Sequence, residues 1–586
     1  MQIFDLKTFI GTLPSFREKY DCLKLATALQ GLANRDSPRI YYLFENTSVN
    51  KNHGVDIDRY WLEKLSSEGR LFSGVEKNFG KYPPDFEGFL KLVEDFSEFY
   101  DGLAIWDENV PATSNVASTA AGASNLLPVR YSDDPGSLYR CLVETSETKK
   151  IKLDLVGKFK SKCEAYLWAK EKYLDANLTN PYRMAYCTDA WPKSPALFET
   201  ALANADYHIA QKAFFWDLSP DPSIAPLDDR RQAVGEDVKT LRAILLSQAR
   251  RSGFGIFSVS GFVPWNYKYT TVADKETKME PVASEWTMID LLSSYGGQTE
   301  ADANAGVGDV SNLSALCHEK LNAELKQKND KGKKSTLEYD RDTKYITIYM
   351  GDYDSGSWTS SCLPMFWDDP RRGEMPLYWP ICSGLSSRIP HLFNYIYETA
   401  TPNDYFAAGD NGTAYLNSTM FEPELRPEGM EDLMEKWEAL NLEYNRRFDI
   451  DILGFHINMD SKTLSLDHIP KRVLDSFARV WPAGVVATKG EGIVDVEYAS
   501  HPETGELTPI IGHWDVSGKN AVEMGENLYA ALCHLEKRQF HMIRIIMAPP
   551  GRVYDAVRHM KEKYPDFKFE LVDPYTIMRL AKQKNK

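Results

Sequence analysis

Apolar positions follow helical and strand periods in turn along the N-terminal part of the chain. Cys22, Leu25, Ala26, Leu29 and Leu32 recur three and four residues apart, and the run stops before Asn34, which predicts a helix. A strand over residues 39–44 follows. Residues 102–106 read as a buried strand, residues 114–122 as a small-residue helix and residues 126–129 as the next strand. The short links in that unit imply parallel strands with a right-handed crossover. Residues 1–245 are therefore expected to form an α/β domain. They carry no GxGxxG or GxxxxGK[ST] loop, so nucleotide binding has no motif behind it.

From residue 246 the rhythm changes to apolar runs separated by long helical or loop insertions. Eight such runs, at residues 254–258, 345–350, 376–379, 405–408, 452–455, 484–487, 509–512 and 542–547, predict a (β/α)8-like barrel over residues 246–586. The connection over residues 261–344 is too long for a plain loop and is expected to carry substructure of its own. Its lysine-rich part (Lys326, Lys328, Lys331, Lys333 and Lys334, with Gly332) reads as a solvated loop.

Composition narrows the function classes. At ~150 residues per domain, 586 residues rule out a single small module, and 43% hydrophobic residues suffice for a large core. The net charge of −16 repels phosphate, so nucleic acid and anionic membranes are not expected partners. No apolar run approaches the ~20 residues of a membrane-spanning helix, and MQIFDLKTFIGTLPSF shows no secretory signal. A soluble protein is expected, either cytoplasmic or a trimmed secreted one. The cysteines are scattered without any CxxC pair, which argues against a zinc knuckle or a disulfide framework. Aromatic residues reach 12%, and flat amphipathic rings suit sugar faces as well as cores.

In such a barrel the chemical groups stand beyond the C-terminal strand ends. GDYDSGSW places Asp352 and Asp354 after one strand with Trp358 nearby, and GDNGTAY places Asp410 and Tyr415 after another. His456 and His513 follow two more. Upstream, SGFVPWNYKYT carries Trp265 and Tyr267, and SEWTMIDLL sets Glu285 beside Trp286. MFWDDPRRGEMPLYWP supplies Arg371 and Trp379. Paired carboxylates are what glycosidic cleavage requires, one as acid and one as base or nucleophile. Each residue also has a structural use: Asp after a strand caps a helix or closes a turn, Trp286 fills a core, and the arginines pair with Asp368 and Asp369. Asp352, Asp354 and His456 are also the donor types for a divalent metal, although no HxxxH or other fixed ligand spacing supports one. No organic cofactor is expected. No GxSxG elbow points to acyl transfer.

The ordered segments QGLANRDSPRIYY, VPWNYKYT, SNLSAL, YITIYMGDYDSGSW, LPMFWDDPRRGEMPLYWPICSGLSSRIP, NDYFAAGDNGTAYLNS and FELVDPYTIMRLAKQ together resemble the GxGYxYP putative glycoside hydrolase family. The resemblance spans nearly the whole chain and implies an N-terminal α/β domain followed by a barrel-like one. The naming motif falls on residues 412–418, where Gly412 and Tyr415 are kept while the second Gly, second Tyr and Pro are replaced by Ala414, Asn417 and Ser418. The chain is thus similar to a divergent member. The expected activity is hydrolysis of a glycosidic bond in an oligo- or polysaccharide, with Asp352 and Asp354 as first candidates and Asp410 or Glu285 opposing them. Two alternatives stand beside it: a polysaccharide lyase using Tyr415 or His456 as base with Arg371 on a uronate, and a glycan-binding protein without catalysis. The sequence sets neither the sugar nor the oligomeric state.

Overall fold

The computed structural model describes residues 1–44, 54–144, 150–189, 204–220, 222, 233–261, 284–301, 311–456, 469–487 and 495–585, without the side chains of residues 284–286 and 456. Trp265 and Tyr267 lie outside the described residues, as do the side chains of Glu285 and His456.

Among the described residues the N-terminal part holds three small parallel sheets. Strands β1 (Gln2–Asp5) and β2 (Ile40–Leu43) form a pair. Strands β3 (Gly102–Trp106), β4 (Leu126–Arg130) and β5 (Ile151–Asp154) run in the order β4-β3-β5. Strands β6 (Arg183–Tyr186), β7 (Phe214–Trp216), β8 (Phe257–Ser260) and β9 (Gly297–Glu300) run in the order β7-β6-β8-β9. The expected first helix spans Phe16–Ala33. It is capped by the Ser15 hydroxyl on the Glu18 N–H and buried on nearly every face, as a helix between sheets must be. The β1–β2 pair separates two cores: Phe4, Ile40 and Tyr42 face the N-terminal one, Ile3, Tyr41 and Leu43 the one around the barrel.

The C-terminal part is a closed barrel of seven parallel strands: β10 (Lys344–Met350), β11 (Leu377–Ile381), β12 (Asp404–Ala408), β13 (Ile452–His456), β14 (Gly484–Ala487) and, after the antiparallel edge strand β15 (Val496–Ser500), β16 (Leu507–Asp515) and β17 (Phe540–Ile545). The order is β11-β12-β13-β14-β16-β17-β10, and the seam closes through the pair Tyr349 and Tyr378. Below that pair β18 (Phe569–Leu571) lies against Lys344, Tyr345 and Ile346 of β10. Seven of the eight expected runs are barrel strands. The first, at residues 254–258, instead contributes to β8, which pairs with β6 and β9. The N-terminal sheet thus extends past residue 245 to Glu300. Strand period marks a strand but does not name its partner.

Side chains alternate in and out along each barrel strand. Tyr345, Tyr349, Tyr378, Tyr405, Ile452, Val486, Ile511, Phe540 and Met542 meet inside, while Ile346, Ile348, Trp379, Phe406, Leu453, Val485, Ile510 and Ile543 pack outward under the helices. The helix Pro574–Lys584 plugs the N-terminal end, with Tyr575 and Met578 among the interior residues. Gly484 is required there, because a Cβ would sit 2.4 Å from the Met578 sulfur. The opposite, C-terminal mouth is left for the acidic loops. The 261–344 connection does carry substructure, including the helix Ser284–Ser294 and β9. Its lysine-rich part is not wholly solvated: the Lys331 ammonium bridges Asp449 at 2.7 Å and Asp451 at 2.5 Å.

Candidate functional site

Two glycine-rich turns leave the barrel at its C-terminal mouth. After β10, Gly351 (φ 104°) donates its N–H to the Ile545 carbonyl at 2.8 Å and lies against the Tyr353 ring, where a Cβ would clash at 1.9 Å. Asp352 and Asp354 flank Tyr353, and the Ser355 hydroxyl then caps the helix Gly356–Trp367 by accepting from the Trp358 N–H. After β12, Asp410 (φ 30°) and Asn411 (φ 65°) take left-handed backbone, and the Gly412 N–H closes the turn on the Gly409 carbonyl at 2.6 Å. Gly412 (φ 116°) admits no side chain, since a Cβ would stand 1.9 Å from the Asn441 amide oxygen that accepts the Thr413 N–H at 3.0 Å. Asp410 is 4% exposed and accepts from the Cys382 thiol at 3.3 Å.

Both turns are braced by β9 from the N-terminal sheet. Thr299 and Tyr415 exchange backbone hydrogen bonds at 2.8 and 3.0 Å, Gln298 meets the Thr413 hydroxyl at 2.8 Å, and the Ala301 N–H donates to the Asp354 carbonyl at 3.0 Å. Glu300 and Arg388, both 0% exposed, form an ion pair at 2.6 Å, and the Ser260 hydroxyl donates to the same carboxylate at 2.9 Å. The Arg388 guanidinium lies against Gly356, where a Cβ would be 2.9 Å from its Cζ. Burial alone would raise the Glu300 carboxyl, but Arg388 and Arg183 outweigh it and hold the group below the ordinary glutamate range. The residues retained from the naming motif have distinct structural uses: Gly412 fits where nothing larger does, and Tyr415 joins the barrel loop to β9.

Burial and neighbouring carboxylates shift the buried groups at this mouth. The phenol of Tyr349 is pushed well above its usual range by burial, with Asp410 and Asp352 adding to the rise. The Cys382 thiol is raised by burial, then by Asp410, Asp354 and Asp352. Asp352 and Asp354 follow β10 and Asp410 follows β12, so all three stand at the C-terminal end of the parallel barrel. Burial also raises the Asp352 carboxyl, with Arg544 opposing and Asp515 reinforcing that shift. Arg544 shares a register layer with Tyr349 and Asp515, stands over the Phe455 ring at 5.0 Å and donates to Asp515 at 2.8 Å. His513, inside β16 rather than beyond it, lies 3.6 Å from Asp515. Burial holds its imidazole down at about 4 against the pull of Asp515.

Other expected residues have different surroundings. Trp379 is not a substrate wall: it points out of the barrel, fully buried against Trp367 and donating to Asp404 at 3.0 Å. Arg371 is not held for a uronate, because Glu374 at 2.9 Å and Asp555 at 2.8 Å engage it on the outer surface. Arg372 pairs with Asp404 and stacks on Trp367, so the partners of the two arginine side chains are not Asp368 and Asp369. Trp358 is half-buried and packs on the outer core, whereas Tyr415 is buried among the interior residues. Among the described residues no three His, Cys, Asp or Glu side chains gather as a metal site. The suggested set of Asp352, Asp354 and His456 includes a side chain outside them. The sequence reading missed Tyr349, Cys382, Arg544 and Asp515. Arg544 left a signal: it is an ionisable residue at an inward position of the apolar strand FHMIRI.

Comparison with known proteins agrees with this geometry at a coarse level. Residues 342–581 match the family described as GxGYxYP putative glycoside hydrolase C-terminal domain. A solved structure from Bacteroides thetaiotaomicron, described as that of a putative hydrolase, has the same fold at a TM-score of 0.65 and 15% identity, covering 99% of this chain and 94% of its own. The comparison with curated proteins found no match.

Proposed function

We propose that the chain is a glycoside hydrolase that cleaves an oligo- or polysaccharide with the carboxylates of the barrel mouth. The observation that carries this reading is that Asp352 and Asp410 follow two strands, β10 and β12, at the same C-terminal mouth of the barrel. The match of residues 342–581 to a glycoside hydrolase family supports the reaction class. Asp352 is the proposed general acid. Burial favours its protonated form, the condition under which a carboxyl delivers a proton to the glycosidic oxygen. Asp410, fixed by its left-handed turn and the Cys382 thiol, is the proposed opposing carboxylate. It takes the proton from the water that attacks the anomeric carbon. Asp354, two residues beyond Asp352, is proposed to orient the pair.

The two proposed groups come from separate loops, an arrangement suited to the ~6.5–9.5 Å spacing that admits a water and inverts the anomeric centre. The lyase alternative loses its proposed uronate partner, because Arg371 is engaged by Glu374 and Asp555. A screen over neutral, amino and uronate glycans tests the reading. New reducing ends without an unsaturated product are expected. Products that absorb as unsaturated uronates, or binding without any cleavage, would replace it.

A further inference from the structure

Asp515 and Arg544 meet at the barrel mouth, where Asp515 ends β16 and Arg544 stands one residue before the end of β17. They share a register position, and the inward Tyr349 of β10 lies in the same layer. The guanidinium lies over the Phe455 ring at 5.0 Å, and that ring has Tyr349 and His513 as neighbours at centroid separations of 5.7 and 6.1 Å. The Arg544 Nε–H donates to Asp515 Oδ1 at 2.8 Å, and an Nη2–H reaches Oδ2 at 3.4 Å. Both Nη1 N–H groups meet no acceptor among the described residues. Asp515 also has acceptor capacity left. The neutral imidazole of His513 turns its Nδ1–H to the Ala487 carbonyl at 3.2 Å, so its Nε2, 3.6 Å from Asp515, presents a lone pair rather than a proton. The Asp515 side chain is 57% exposed against 15% for Arg544, so the pair is anchored below and open above.

We propose that Asp515 and Arg544 recognise an uncharged sugar unit of the glycan through two neighbouring hydroxyls, Asp515 accepting one hydroxyl proton and Arg544 donating an Nη1–H to the other oxygen. This inference rests on the hydrolase reading and narrows its substrate class. A hydroxyl is at once donor and acceptor, so adjacent hydroxyls on a ring suit a carboxylate and a guanidinium set side by side, and hydrogen bonds to such charged groups are the strong ones. Asp515 and the Phe455 face hold the guanidinium before the sugar arrives, so little side-chain freedom is lost on binding. Charge decides against an acidic sugar. Even with Asp352 protonated, Asp354, Asp410 and Asp515 outnumber Arg544 among the described residues of the mouth, and Glu300 cancels Arg388 behind them. A uronate carboxylate or a sulfate ester would enter against that field, whereas hydroxyls carry no charge.

The test is direct binding by the full chain of cello-, xylo-, manno- and galacto-tetrasaccharides, set beside tetragalacturonate and a chondroitin sulfate tetrasaccharide. Binding is expected within the uncharged set. Calorimetry on its strongest member, with Asp352→Asn in every chain so that the sugar is not consumed, then compares Asp515→Asn and Arg544→Gln with their parent. Each is expected to weaken binding by roughly 10- to 100-fold, the range for hydrogen bonds to charged groups. Monodeoxy analogues separate recognition from support of the fold. The analogue without the hydroxyl that Asp515 accepts is expected to bind the parent and Asp515→Asn equally, which a merely structural role would not produce. If Arg544→Gln fails to fold, Asp515→Asn alone decides, because its side chain is largely in solvent. Preference for the acidic sugars, no binding in either set, or variants that bind like the parent overturn the inference. Variants that weaken binding as expected, in a protein whose wild type releases no reducing ends, would uphold the subsite and overturn the hydrolase reading instead.

Discussion

Glu300 lies outside the residues that match the family, yet it backs both acidic turns. Replacing it with Gln keeps its shape and removes its charge. The Arg388 guanidinium 2.6 Å away is then left charged in a site where both side chains are 0% exposed. Breaking a buried pair from one side costs ~3–5 kcal/mol, whereas replacing both partners with apolar residues of similar volume is often close to neutral. At ~1.4 kcal/mol per tenfold, the lower figure corresponds to roughly a hundredfold change in a local opening equilibrium. The sensitive probes are the Ala301 amide, which donates to Asp354, and the Thr299 amide, which donates to Tyr415. Native-state hydrogen exchange at these two amides is expected to accelerate by about 100-fold or more in Glu300→Gln. A Glu300→Leu, Arg388→Met double variant is expected to recover most of that loss. The sign with pH follows from the depressed carboxyl. The stabilisation from Glu300 is present above the ordinary glutamate range and is lost as pH falls through its lowered value, so the wild-type advantage over Glu300→Gln shrinks in acid. Unchanged exchange at Ala301 and Thr299 in Glu300→Gln, or a double variant worse than either single one, would refute this reasoning.

Asp352→Asn and Asp354→Asn are each expected to lower turnover on a confirmed glycan by ~100-fold or more with circular dichroism unchanged; wild-type turnover in both would remove them from the mechanism. Trp379→Ala is expected to cost ~3–5 kcal/mol in denaturant unfolding while leaving KM of the folded enzyme unchanged, because the ring packs on Trp367 outside the barrel; a raised KM would return it to the substrate. His391, His513 and His541 are buried and held neutral down to about 3, 4 and 3. The unfolded chain takes up these protons from ~6.5 downwards while the folded one does not, so the urea midpoint is expected to drop steadily from neutral pH towards pH ~4, and a flat profile would show the imidazoles to be solvated.

Strand runs, the acidic turns and the glycines between them were legible because each depends on near neighbours in the chain. Apolar runs marked β10, β12 and β14, and the GDYDSGSW and GDNGTAY turns stood out as carboxylates set in flexible backbone. The expectation that Asp352 and Asp410 share one end followed from their positions after parallel strands, and β10 and β12 run parallel in one barrel. Side-chain direction and partner choice were decided elsewhere. Trp379 occupies an outward position because Tyr378 takes the inward one at the seam, a matter of register that composition does not express. Residues 254–258 read as one more barrel strand, yet β8 found hydrogen-bonding partners in β6 and β9, and the barrel closed with seven strands. Arg544 and Asp515 are 29 residues apart and meet only because β16 and β17 lie side by side. Glu300 and Arg388 are 88 residues apart and meet where the N-terminal sheet abuts the barrel mouth. Local sequence determined the chemical groups and the turns that present them. Tertiary packing decided which groups meet, because a buried charge takes its partner from whichever strand the fold sets beside it.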